Sequence, residues 1–116
     1  MQTQRIFPSA DHLQPAEGEP VRSVVTETPE AVIVAWHVAP GQRIAAHVHP
    51  RGQDTWTVLS GAGLYQIDAA GGTRPIAAGD IAVAPVGAVH GVFNPHAEPL
   101  VFVSVVAPGD AGYELR

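Results

Sequence analysis

Hydrophobic positions along this chain fall in short runs cut by glycine and proline. Segments rich in Val, Ile, Thr, Trp and Phe run from Val21 to Thr28, Ala31 to Ala39, Asp54 to Ser60, Gly63 to Asp68, Ile81 to Ala84, Val89 to Phe93 and Leu100 to Val106. Twelve glycines and eleven prolines leave few uninterrupted stretches as long as the roughly 8–20 residues of an ordinary helix. The pattern predicts an all-β chain with the strand spacing of a sandwich or barrel. In one segment Val32, Val34, Trp36 and Val38 point to one face, and Ile33, Ala35, His37 and Ala39 to the other. Both faces are largely apolar, so the strand is covered on two sides, by the barrel interior and by a second sheet or a partner subunit, and a homodimer is expected.

A chain of 116 residues can bury roughly two-thirds of its unfolded surface, enough for one core. A single domain over residues 1–116 is expected, its charged first twenty residues forming either an arm over the domain or a loose tail. That opening segment has no apolar stretch of the kind a signal peptide needs, and no run approaches the roughly 20 residues of a membrane helix. A cytoplasmic protein without a membrane partner is expected. The net charge of −5 comes from eleven acids against six arginines, with no lysine and no basic run, which argues against nucleic acid as a partner. With no cysteine in the chain, thiolate metal sites and disulfides are excluded.

Three histidines remain as candidates for chemistry. His47 and His49 form an H-x-H pair and His90 follows later, each beside Gly or Pro punctuation that suggests a strand end. Residues i and i+2 of a strand share a face, so both imidazoles of the pair can aim at one point, and a third from a neighbouring strand adds another corner of a coordination shell. Gln53 and Asp54 compete for a fourth place. Asp54 shares a face with Trp56 and Val58, the more apolar and hence inward side, which favours Asp54; a bulge before the strand would shift the phase and favour Gln53.

The spacing around these residues resembles a known family. Gly41, five residues, His47, one, His49, four, Asp54, six, Gly61 is similar to the first cupin motif. After seventeen residues, Gly79, five, Pro85, one, Gly87, two, His90, three, Asn94 is similar to the second. Each five-position pattern should arise by chance on the order of once in 10⁶ starting points. The resemblance implies a double-stranded β-helix, or jelly-roll barrel, with the motifs at residues 41–61 and 79–94. It implies one divalent transition metal (iron, zinc, nickel or manganese) held by His47, His49, His90 and Asp54, with Gln53 as the alternative to Asp54. The family's pattern has Glu where this chain has the shorter Asp54.

Such a chain is expected to be a small metalloenzyme of dioxygenase, isomerase, cyclase or lyase type acting on a small organic molecule. The alternative is a non-catalytic module that binds a small molecule or a sugar. His12, His37 and His96 are expected to be ordinary core or surface residues. Trp56 and Tyr65 are expected to fill the core rather than line a pocket, and Asn94 to tie a turn. Arg43 and Arg51, which flank the histidine pair, are candidates for meeting an anionic substrate at the barrel mouth, set against the commoner role of solvated surface charge.

Overall fold

The computed structural model describes residues 4–116. Among the described residues ten strands follow a short 3-10 turn at Ser9–His12: β1 (Ser23–Glu27), β2 (Val32–Val38), β3 (Arg43–Val48), β4 (Gln53–Ser60), β5 (Ala62–Gln66), β6 (Thr73–Ala77), β7 (Ile81–Ala84), β8 (His90–Phe93), β9 (Leu100–Ala107) and β10 (Glu114–Leu115). They form two five-stranded sheets, in the orders β1-β2-β9-β4-β7 and β10-β3-β8-β5-β6. The pairings are antiparallel. The late strands β8 and β9 insert between early ones, so each sheet closes only when distant parts of the chain meet. This is the jelly-roll arrangement of two packed sheets.

Alternation decides what lies between the sheets. On β4 the inward residues Asp54, Trp56 and Val58 are buried while Gln53, Thr57 and Leu59 are exposed. Trp56 stacks on Phe102 of β9 at 4.1 Å between ring centroids and meets Tyr65 of β5 edge-on at 5.1 Å. Both rings belong to one apolar cluster with Val38, Val92 and Leu100. Truncating a buried aromatic of this kind typically costs about 3–5 kcal/mol, a large share of the about 5–15 kcal/mol that stabilises a whole domain.

The seven expected segments all contain strands: Ile81–Ala84 is unchanged, and the others have ends moved by at most two residues. Three strands were not foreseen. β3 contains Ala45 and Ala46, which give little pattern, and a bulge between Ile44 and His47 breaks its alternation. β6 contains Pro75, tolerated because this strand is a sheet edge. β10 is two exposed residues paired with Val48 and His47 of β3.

The first motif ends on a turn that needs glycine. Gly61 has φ +77°, and a Cβ there would lie 2.0 Å from the Pro99 carbonyl oxygen. Asn94, fully buried, donates to the carbonyls of Val38 and Glu98 and accepts from the His96 amide, as expected of a turn tie. Of the opening segment, residues 1–3 lie outside the described residues, while His12, Gln14 and Ala16 meet the domain: Ser23 Oγ donates to the His12 carbonyl, Gln14 Nε2 donates to Ser23 Oγ at 2.9 Å, and Gln42 Nε2 donates to the Ala16 carbonyl at 2.7 Å. No helix among the described residues is long and apolar enough to cross a membrane.

Candidate metal centre

The bulge in β3 sets the direction of His47. Ile44 packs against the core, so strict alternation would carry Ala46 inward and His47 outward. The extra residue inverts the phase. His47 then stands opposite His90 of β8, the two rings 4.1 Å apart, and is buried. His49 sits two residues on, past the strand end, in the turn closed by the Gly52 amide donating to the His49 carbonyl. Asp54 enters from the second position of β4, and His90 from the first of β8.

The donor atoms of His47, His49, Asp54 and His90 all lie within 4.8 Å of one another. Ligands around one ion at about 2.1 Å are themselves roughly 3–4 Å apart, so these four could hold a metal ion. The hydrogen bonds behind the rings add a second argument. Each Nδ1 faces a backbone carbonyl: His47 that of Ala45 at 2.7 Å, His49 that of Gly112 at 2.7 Å, His90 that of Ala88 at 3.0 Å. A carbonyl only accepts, so every Nδ1 carries the proton and the neutral ring turns its Nε2 lone pair to the centre.

Those lone pairs meet another acceptor. Asp54 Oδ2 lies 2.9 Å from His90 Nε2 and 3.2 Å from His49 Nε2. Neutral imidazole nitrogens and a carboxylate oxygen repel at these distances unless a cation, a proton or a metal ion, lies among them. The second oxygen, Oδ1, is buried with no hydrogen bond of full geometry, although the Trp56 indole also acts on this carboxylate, and coordination would satisfy it. The donor set therefore fits a divalent transition ion with nitrogen and oxygen preference.

Electrostatics follow from the same contacts. Burial pulls His47 down from its ordinary 6.5 to about 4. Burial also lowers His49, but its bonds to Asp54 and the Gly112 carbonyl outweigh this and raise it; the charge of Arg22 opposes the rise. For Asp54, burial favours the neutral acid, yet the bonds to His49 and His90 prevail and hold it near about 2. Burial pushes the Tyr65 phenol above its ordinary value.

Beside the cluster opens a cavity of about 530 Å³. Its wall is largely apolar, with Val32, Val34 and Trp36 of β2 and Val106 of β9; Arg22 just before β1, Glu27 at the end of β1 and Tyr113 from the C-terminal segment also line it. Tyr113 packs on His47 at 5.1 Å between ring centroids and is 59% exposed. Trp36 Nε1 donates to Ser104 Oγ at 3.3 Å, whereas the buried Trp56 indole N–H makes no hydrogen bond of full geometry.

The structure brings Asp54, and not Gln53, to the histidines. Gln53 is exposed on the opposite face and donates to Thr55 Oγ1. Trp56 fills the core and also lines the cavity, so the two roles weighed for it coincide, while Tyr65 is core. His12, His37 and His96 lie outside the cluster. Neither arginine weighed for the mouth lines the cavity, in keeping with the commoner role of surface charge: Arg43 lies over the Phe93 ring at 4.6 Å, and Arg51 donates to the Asp110 carbonyl. Arg22, Glu27, Gly112 and Tyr113 were missed, because they reach the site through pairings of β1 and β10 that no local pattern announces.

Comparison with known proteins agrees with this geometry. A Klebsiella pneumoniae protein with a double-stranded β-helix domain superposes with a TM-score of 0.94 at 54% identity over 97% of each chain. A Thermus thermophilus protein matches with a TM-score of 0.83 at 25% identity, covering 90% of this chain and 98% of that one. KdgF from a Halomonas species matches with a TM-score of 0.75 at 27% identity, covering 91% and 94%. No curated protein matches the chain. The family model for the cupin domain matches residues 34–106, and with the Klebsiella likeness it establishes that this chain belongs to the cupin family.

Proposed function

We propose that His47, His49, His90 and Asp54 hold one divalent transition metal and that the protein is a small metalloenzyme acting on a small organic molecule. The observation that carries this reading is the convergence of three imidazole lone pairs and a carboxylate oxygen within 4.8 Å, each ring fixed from behind by a backbone carbonyl. Four protein donors leave one or two positions open on such an ion. The bound ion would supply Lewis acidity toward a substrate oxygen and, if it is iron, redox chemistry of the dioxygenase type.

The chain's own residues do the rest. The carbonyls of Ala45, Gly112 and Ala88 hold the tautomers, and Asp54 brings the negative charge that a divalent cation needs. The valines and Trp36 exclude water from the cavity wall, which strengthens electrostatic contacts within it. Isomerase, cyclase and lyase reactions at a carbonyl can use such a polarising centre, and an enolisable or carbonyl-bearing molecule suits it.

Elemental analysis of protein purified without chelator tests the first half: about one transition ion per chain is expected, and His49→Ala is expected to lose most of it. Oxygen uptake and turnover of a substrate panel test the second half. A wild-type chain without metal, or a His49→Ala variant equal to wild type in metal and turnover, would overturn the proposal. Full metal with no turnover on any substrate would favour the non-catalytic binding module.

The working form we propose is a cytoplasmic homodimer. Support for the dimer is the outer face of the β1-containing sheet, where Val103 and Val105 of central strand β9 and exposed Ile81 and Val83 of β7 stand on either side of Thr55 and Thr57 of β4.

A further inference from the structure

Arg22 stands one residue before the Ser23–Ala35 pair of β1 and β2. Ser23 turns outward to meet the opening segment, so Arg22 points inward beside Trp36, and both line the cavity that holds His49 and Asp54. Most surface arginines are merely solvated. This one, itself exposed, differs by its position among the residues that line the cavity, and among the described residues no carboxylate forms an ion pair with it. The one acid on β1, Glu27, faces Val32 beyond a bulge. Four residues of β2 separate Val32 from Trp36, about 13 Å of strand, so Glu27 does not neutralise Arg22.

From this we infer that the cavity takes an organic anion with an extended apolar body, its acid group held by Arg22 and its other end directed to the histidine cluster. Sheet order fixes the layout: from β4, which carries Asp54, the wall crosses β9 and β2 to the start of β1, where Arg22 stands. Between the two charged ends lie Val106, Val34 and Trp36. A body of several carbons fits that stretch, and a guanidinium offers a planar fork to a carboxylate. The protein's net charge of −5 repels anions at long range, so a local cation is required to hold one here. The direction of the far end rests on the proposed metal site, whereas the pairing with Arg22 does not.

Isothermal titration of the metal-loaded protein with hexanoate and phenylacetate, each against its primary amide, tests the inference. Wild type is expected to bind each acid at least about tenfold more tightly than the matching amide, the worth of one charge-assisted pair. Arg22→Gln should weaken the acids about tenfold and leave the amides unchanged, with Arg22→Lys in between. No preference for acids in wild type, no binding of any probe, or a preference that survives Arg22→Gln would overturn it. Survival in Arg22→Gln with loss in His49→Ala would assign the anion to the ion instead. Metal content of the same samples separates the two proposals: an acid preference without metal refutes the metal centre alone, and metal without an acid preference refutes the role of Arg22 alone.

Discussion

His47 and His49 share an ion site in the proposed function yet respond to protons in opposite ways. Burial lowers His47 to about 4 from 6.5, so in metal-free protein the unfolded chain takes up a proton there first as pH falls. His47 therefore withdraws stability between pH 6.5 and about 4. His49 is raised; it adds stability below its unfolded value and loses it as pH rises through the folded one. Thermal unfolding of chelator-treated protein across this window should show a steeper acid-side fall in Tm for wild type than for His47→Gln. Parallel profiles would show that burial of the ring has no such effect. At this scale the sequence was informative: H-x-H, the distant His90, and the face shared by Asp54, Trp56 and Val58 were all readable from spacing and alternation. What spacing could not reveal is which backbone carbonyls orient the rings, since Gly112 lies 63 residues from His49.

The bulge of β3 has a fitted partner on β8. A Cβ on Gly91 would lie 2.8 Å from the Ile44 carbonyl oxygen and 3.2 Å from the Ala46 amide nitrogen. Those atoms are backbone and cannot turn aside, so only glycine lets β8 approach the bulge that turns His47 inward. Gly91→Ala should cost about 1–3 kcal/mol, as overpacking does, and should lower metal content more than its stability loss explains by prising His90 from His47. Chemical denaturation and elemental analysis on the same samples read both effects. Wild-type values in both would mean that the strands separate freely. The bulge was hidden because Ala45 and Ala46 carry no hydrophobic contrast. The same weakness of signal concealed β3, and Pro75 concealed β6, whereas strands with branched or aromatic alternation, such as β2 and β4, stood out.

Across the molecule, the two sheets differ in what their outer faces meet. The opening segment crosses β1 and β2 near Ser23, while the valines of β9 and the exposed Ile81 and Val83 of β7 have no such cover from the described residues. If a second copy packs there, Val103→Arg at the middle of the central strand should yield a monomer with an unchanged circular dichroism spectrum. Light scattering would read this, and a wild-type monomer at micromolar concentration would refute the dimer. The barrel itself was legible from the motif pair and the strand spacing. The cavity rim was not, since Arg22 and Tyr113 approach from opposite ends of the chain. That approach bears on truncation. His49 takes its orientation from the Gly112 carbonyl, and β10 seals β3 just beyond. A chain cut before Gly112 would keep all four donor side chains yet leave one ring free to swivel, so the order of the cluster depends on a segment that supplies none of its donors.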